Sequence, residues 1–232
     1  MDIQNKNRKL LKKNHVYDET MEHDACGVGL VASTEGLKSR KVVEYGIEAL
    51  KAVWHRGAID ADGKTGDGAG IHIEIPNDFF AEKIEITGHE HDNSDLCVGM
   101  IFLPRNDFGG QEQCRSIVES ELTKKNFNIY GWRQVPVDPS VLGEKAEQTR
   151  PEIAQVLFTH NDKSIHGKDL ERALYETRRK IEKEALRNQL NNFYICSFSS
   201  KSIIYKGMFL AESLSDFYPD LKDERFISRY AI

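Results

Sequence analysis

The stretch His23-Asp24-Ala25-Cys26-Gly27-Val28-Gly29-Leu30 places a cysteine at the head of a short apolar run, with glycines at alternate positions after it. A thiol attacks a carbonyl carbon only as the thiolate, and a free cysteine has a pKa of about 8.5, so it needs a base nearby. If the chain is cleaved before Cys26, the new α-amino group, with a pKa of roughly 7.7–8.0, supplies that base. We therefore hypothesise that Cys26 is the first residue of the mature protein and its nucleophile.

The surroundings of Cys26 are compatible with more than one role. Gly27 and Gly29 carry no side chains, so a substrate carbonyl could approach the backbone beside the sulfur closely. Considered alone, however, the residue favours a small buried cysteine at the start of a strand. Residues 1–25 are polar and of mixed charge and lack the apolar core of a secretory signal. They fit either a disordered tail or a propeptide that is removed between Ala25 and Cys26.

The composition excludes several classes of protein. The 232 residues carry a net charge of -5, which gives no basic footprint for nucleic acid, and no apolar run is long enough to span a membrane. An apolar content of 39% and a charged content of 30% are typical of a soluble globular protein. No two cysteines have the C-x-x-C spacing of a zinc or redox site, and Cys97 and Cys196 lie in apolar runs that predict buried thiols. This usage favours a reducing compartment, and we expect a cytoplasmic location.

The pattern of apolar residues predicts strands and helices in alternating groups. Helices are predicted over residues 39–54, 110–125 and 168–188, and strands over 26–32, 71–75, 96–103, 129–137, 152–158, 193–198 and 202–210. The last two strands are predicted to form a hairpin. This order favours a mixed α+β layered domain over a doubly wound parallel sheet. The most regular helix, 168–188, has one apolar stripe, formed by Leu170, Leu174, Thr177, Ile181 and Ala185.

Three polar segments resemble known motifs only in part. The run Gly66-Asp67-Gly68-Ala69-Gly70 does not complete a dinucleotide-binding motif, and Gly63-Lys64-Thr65 lacks the glycine that a phosphate loop needs upstream. We expect tight turns that lead into a strand. Asp60 and Asp62 begin like a calcium loop, but the following residues break its ligand pattern. Residues 89–92 have metal-ligand side chains in a polar loop, which predicts a solvated loop, and we expect no metal site.

Taken in order, several segments resemble the start of glutamate synthase large chains, which is a class II glutamine amidotransferase domain. The segments are Asp24–Gly29, His55–Ala58, Lys64–Ile71 and Ile75-Pro76. The resemblance is most specific over residues 22–80 and is compatible with the rest of the chain. It implies a propeptide at 1–25 and an amidotransferase domain at 26–232, with the four-layer αββα sandwich of the N-terminal-nucleophile hydrolases.

The resemblance also implies a reaction and a set of site residues. Cys26 would attack the side-chain amide of glutamine and release ammonia from a γ-glutamyl thioester, and water would then release glutamate. Other matching residues are expected to support the wall of the active site: Gly27, His55, Arg56, Gly57, Asp67 and Gly68.

The chain departs from the family pattern in one respect. The family's His-Gln-Arg segment, which binds the substrate carboxylate, and its Asn-Gly pair, which forms the oxyanion hole, do not occur here. Residues 225–232 resemble the approach to the first of these segments. We therefore expect an N-terminal fragment, truncated within its domain, whose glutamine-binding residues lie beyond Ile232. Because the loss of one oxyanion donor costs ~10²–10³ in rate, we expect the fragment alone to be inactive.

The parent that the resemblance implies uses ammonia in a downstream synthase domain to make glutamate from 2-oxoglutarate. It would use FMN and an iron–sulfur cluster, neither bound by this fragment, with electrons from a small subunit or ferredoxin. The sequence leaves the donor open between NADPH, NADH and ferredoxin. Two alternatives also stay open: another N-terminal-nucleophile amide hydrolase, such as an acylase, and a non-catalytic assembly domain in which Cys26 is structural.

Overall fold

The computed structural model describes residues 27–53, 59–90 and 95–232, and before them Lys6 and Leu10. Within these residues the helices are α1 (Arg40–Ala52), α2 (Asn77–Ile86), α3 (Phe108–Lys124), α4 (Glu144–Thr149), α5 (Gly167–Arg187) and α6 (Leu214–Phe217). The strands are β1 (Val31–Ala32), β2 (Ala69–Glu74), β3 (Cys97–Leu103), β4 (Phe127–Gln134), β5 (Glu152–His160), β6 (Tyr194–Ser199), β7 (Ser202–Gly207) and β8 (Tyr230–Ala231). None of these helices combines the length and the apolar character needed to cross a membrane.

The strands form two four-stranded sheets. The first has the order β1-β8-β2-β7 and the second the order β4-β5-β3-β6. Every neighbouring pair in both sheets is antiparallel. This arrangement confirms the α+β prediction, because a doubly wound fold would need parallel strands joined by crossover helices.

Helices α3 and α5 cover one face of the second sheet. The predicted stripe of α5 is buried along its whole length, from Leu170 to Ala185. It shares an apolar cluster with side chains of α3 and with one face of the sheet, among them Val118, Leu122, Ile101, Val156 and Phe158. Alternation of side chains along a strand assigns the neighbouring residues of β3 and β5 to the opposite face.

That opposite face belongs to the other apolar core. The core contains Val98, Met100 and Leu157 of the second sheet together with Ile71, Ile73, Ile203 and Tyr205 of the first. It also contains the buried side chains of α1 and α2. Ser39 fixes the start of α1, since its Oγ accepts a hydrogen bond from the Lys41 N–H at 3.1 Å. The other face of the first sheet, which carries His72, Glu74 and Tyr230, is only half-buried.

Two predictions about strands are wrong in part. Of the described part of the strand predicted over 26–32, which is residues 27–32, only Val31–Ala32 is in a sheet; Val28 and Leu30 are 81% and 67% exposed. Pairing with β8 covers only Val31 and Ala32, and the glycines before them offer no side chains to pack. The prediction that the strands at 193–198 and 202–210 pair as a hairpin is also wrong. Strand β6 pairs with β3 and strand β7 with β2, in different sheets.

Candidate active site

Strand direction brings three segments to one edge of the first sheet. Because β8 is antiparallel to both β1 and β2, these two strands run in the same direction, and the residues that precede each strand lie toward the same edge, although Val31 is level with Ile73 and not with the first residue of β2. Strand β7 runs the opposite way and ends there, with Gly207 paired to Ala69. Residues 27–30, the loop before β2 and the segment after β7 therefore lead to or from this edge.

The glycine run at this edge packs tightly against the end of β7. A Cβ atom built on Gly66 would lie 2.8 Å from the Phe209 carbonyl oxygen, and one on Gly70 would lie 2.9 Å from that of Tyr205. Gly68 has φ of +124°, a conformation that side chains rarely adopt. The predicted tight turns that lead into a strand are confirmed, and close approach of the two backbones is the reason for the glycines.

Hydrogen bonds from its own backbone fix the loop before this run. The Asp62 carboxylate accepts from the backbone N–H groups of Lys64 (2.9 Å) and Thr65 (2.7 Å) and from the Thr65 hydroxyl (2.5 Å). These bonds, led by the hydroxyl, lower the pKa of Asp62 to about 2. Lys145 of α4 binds Asp60 at 2.7 Å, and its hydrogen bond lowers the pKa of that carboxyl group. The Asp62 carboxylate thus holds the loop through donors of the loop itself, and Lys145 holds Asp60 from α4.

Three cysteines of the described chain are poor nucleophiles. Cys97, Cys114 and Cys196 are buried. Burial raises the pKa of Cys97 well above its usual value and that of Cys114 and Cys196 to about 11. The prediction of buried thiols at Cys97 and Cys196 is confirmed, and these three side chains do not compete with an activated thiol near neutral pH.

A cavity of about 740 Å³, which no sequence motif predicted, opens where β7 ends. Its wall includes Met208 and Phe209, which directly follow β7, and the cations of Arg105, Arg150 and Lys206. Both arginines bind the Glu147 carboxylate at 2.7 Å, so their charge is partly neutralised. The Lys206 Nζ donates to the Tyr194 hydroxyl at 2.7 Å. Such a wall combines apolar surface with a few fixed polar groups, as ligand sites do.

The predicted site residues divide into two groups. Gly27, Asp67 and Gly68 are described and exposed, and strand direction assigns them to the same edge of the first sheet. Cys26, His55, Arg56 and Gly57 lie outside the described residues, and their roles stay predictions. No cluster of three or more His, Cys, Asp or Glu side chains that could hold a metal ion occurs in residues 27–53, 59–90 and 95–232.

A family model, that of the class-II glutamine amidotransferases, matches residues 26–232. The chain belongs to this family. The amidotransferase match covers the chain from Cys26 to its last residue, and it includes every predicted site residue.

Comparison with individual proteins gives more specific similarities. The amidotransferase chain is 54% identical to the glutamate synthase [NADPH] large chain of Azospirillum brasilense over 226 residues, 97% of this chain and 15% of that one. It is 38% identical to the ferredoxin-dependent glutamate synthase 2 of Synechocystis sp. over 91% of this chain and 13% of that one. It is also 38% identical to the chloroplastic ferredoxin-dependent enzyme of Spinacia oleracea over 93% of this chain and 13% of that one.

These similarities confirm the resemblance to glutamate synthases found in the motifs of residues 22–80. The chain spans only 13–15% of the length of these relatives. The names of these relatives therefore refer to proteins that are much longer than this chain.

Proposed function

We propose that this chain is the glutamine-hydrolysing part of a glutamate synthase and that Cys26 is its nucleophile. The observation that carries the proposal is the family match, which begins at residue 26 and leaves out the polar residues before it. Cys26 can act as an N-terminal nucleophile only if residues 1–25 are removed as a propeptide. A family match that begins at Cys26 agrees with this requirement. The match also favours this function over an acylase or a non-catalytic assembly domain.

The proposed reaction has two steps. The α-amine of Cys26 takes the thiol proton, and the thiolate attacks the side-chain amide carbon of glutamine. The C–N bond breaks, the nitrogen takes up a proton and leaves as ammonia, and a γ-glutamyl thioester remains. Water then attacks the thioester, which releases glutamate and restores the thiol. Gly27, directly after the nucleophile, leaves room for the substrate, and the turn of Asp67 and Gly68 forms part of the wall beside it.

We further propose the four-layer αββα arrangement for residues 26–232. Its support is a core shared by two antiparallel sheets, with α3 and α5 on the far face of the second sheet.

The cofactors and partners of the complete protein are assigned to its other parts. We propose that FMN and an iron–sulfur cluster bind outside this domain, since the described cysteines are buried singly and no described cluster suits a metal. The ammonia would be used with 2-oxoglutarate in a downstream synthase domain. The higher identity to the relative named for NADPH favours a pyridine nucleotide over ferredoxin as the electron source, and we propose a cytoplasmic location.

The test uses the full-length protein. We expect its mature N-terminus, read by mass spectrometry, to be Cys26. We expect Cys26→Ala to abolish glutamate formation from glutamine and to leave formation from added ammonia intact, because only the first needs the thiolate. Cys114→Ala, which removes a buried thiol of α3, is the matched control and should keep both activities. An active enzyme that begins at Met1, or a Cys26→Ala enzyme that still uses glutamine, contradicts the proposal.

A further inference from the structure

Four polar side chains form a closed ring of hydrogen bonds inside the core shared by the two sheets. Arg133 of β4 binds both carboxylate oxygens of Asp220, at 2.6 and 2.7 Å, and donates to the Gln155 Oε1 at 2.8 Å. The Gln155 Nε2 donates to the Tyr205 hydroxyl at 3.1 Å. That hydroxyl donates to the Asp220 Oδ2 at 3.2 Å, which closes the ring. The ring thus joins β4 and β5 of the second sheet, β7 of the first, and the turn that holds Asp220.

The ring is removed from solvent. Gln155 and Tyr205 are fully buried, and the side chains of Arg133 and Asp220 are 15% and 4% exposed. Replacement of a buried ion pair by apolar side chains often leaves a protein equally stable, so such a pair is weak support for stability. Its directed hydrogen bonds, by contrast, allow few arrangements of the elements that they join.

Through Asp220, the ring holds the turn of residues 219–222 in place. A second arginine binds the same turn and the residue after it. Arg40, the first residue of α1, donates to the carbonyl oxygens of Leu221 at 2.8 Å and Asp223 at 3.1 Å. The turn is therefore fixed between the second sheet and the start of α1.

From this turn the chain runs directly into β8. Ser228 pairs with Ser39 as an antiparallel bridge, and the Arg229 N–H donates to the Glu74 carboxylate at 2.7 Å. Strand β8 then inserts between β1 and β2, where Ala231 pairs with both Val31 and Ile73. Strand β8 is thus the neighbour that holds β1 in the sheet, and β1 begins shortly after Cys26.

We propose that the ring of Arg133, Gln155, Tyr205 and Asp220 positions β1, the strand that follows the nucleophile in the chain, and that glutamine hydrolysis depends on this position. By fixing the turn, the ring fixes β8, and through β8 it fixes β1, which begins five residues after Cys26. Arg133 and Asp220 are then positioning residues that touch neither glutamine nor the reacting atoms. The inference rests on the proposed function, since it assumes that Cys26 is the nucleophile. A small misplacement of a reacting group can lower a rate by ~10²-fold, so such a role has a measurable effect.

The experiment compares variants of the full-length protein. The variants are Asp220→Asn, Tyr205→Phe and the apolar double variant Arg133→Met/Asp220→Leu. The readouts are the rate at which a diazoketone analogue of glutamine labels Cys26, the kcat and KM for glutamine, and the activity with added ammonia. We expect each variant to label about 10-fold more slowly or worse and to lose kcat in proportion, with KM nearly unchanged and ammonia-dependent activity intact. Lys222→Gln, which removes an exposed ion pair from the same turn, is the control and should behave as wild type.

The double variant separates positioning from mere stability. Its apolar side chains leave no charge unpaired, and only the neutral groups of Gln155 and Tyr205 lose a hydrogen-bond partner, so the variant should remain folded at the assay temperature with a lower thermal midpoint, while labelling remains slow. A folded double variant that labels at the wild-type rate overturns the proposal. If the double variant does not fold, the same criterion is applied to Tyr205→Phe, which removes only one hydroxyl group: labelling of Cys26 at the wild-type rate overturns the proposal. Failure of the proposed function itself is read on the wild type, as the absence of Cys26 labelling and of glutamine hydrolysis.

Discussion

At the scale of the single residue, Gly46 of α1 is a helix position at which we expect glycine to give a more stable protein than alanine. Alanine normally stabilises a helix interior relative to glycine by about 1 kcal/mol. A Cβ on Gly46, however, would lie 2.5 Å from the Ala231 Cβ of β8 and 3.5 Å from the Ile71 side chain. We expect Gly46→Ala to lower the free energy of unfolding by ~1–3 kcal/mol, because α1 must move off the sheet. Urea unfolding followed by circular dichroism measures this change.

The matched control is Gly109, the second residue of α3. A Cβ there meets only the Asp107 carboxylate, at an ordinary contact distance of 3.6 Å. Gly109→Ala should therefore leave the stability unchanged or raise it by up to ~1 kcal/mol. Equal effects of the two substitutions would show that the contact between α1 and β8 is looser than described.

At the scale of the element, α5 is the part of the fold that local sequence determines most fully. Its stripe was predicted from spacing alone, and all five of its residues are buried. We expect Leu174→Ala to lower the free energy of unfolding by ~2–5 kcal/mol, since Leu174 is fully buried in the core with α3 and a cavity would remain. Leu186→Ala, in the same helix but at a side chain that is 73% exposed, should change it by no more than ~0.5 kcal/mol. Chemical denaturation of both variants tests the stripe, and a similar loss in the two would contradict it.

Strand partners were harder to predict than the strands themselves. The turn between β6 and β7 was found from the sequence, but whether two consecutive strands pair depends on distant segments. Here β6 pairs with β3, and β7 pairs with β2. The Ile204 N–H is bound by the Ser197 side chain at 3.2 Å, a contact that period-2 alternation does not reveal.

Helix α2 was missed although its sequence carries a signal. The strand predicted over 71–75 stops before Pro76, and Pro76 is also the N-cap residue of this helix. Phe79, Phe80 and Ile84, at helical spacing after it, are all buried. A proline followed by apolar residues at such spacing predicts a helix start as well as a strand end.

The candidate site was predictable to the extent that its chemistry is local. The proposed nucleophile Cys26 and the glycine run are short motifs, whereas the reason for the glycines lies far along the chain, at Tyr205 and Phe209. The ring of Arg133 and Asp220 was not predictable at all. Its members come from three strands and a turn, and no spacing in the sequence connects them.

At the scale of the whole molecule, burial should leave Cys26 as the thiol that reacts in the native protein. A pKa of about 11 leaves roughly a thousandth of the Cys114 and Cys196 thiols ionised near pH 8, and both are also shielded from reagent. Cys97 is shielded in the same way. Among the four cysteines of residues 1–232, we expect iodoacetamide at that pH to modify Cys26 alone in the folded protein and all four after unfolding in urea, as read by peptide mass spectrometry. Native modification of any of the three buried thiols would show that the core opens far more readily than its packing implies.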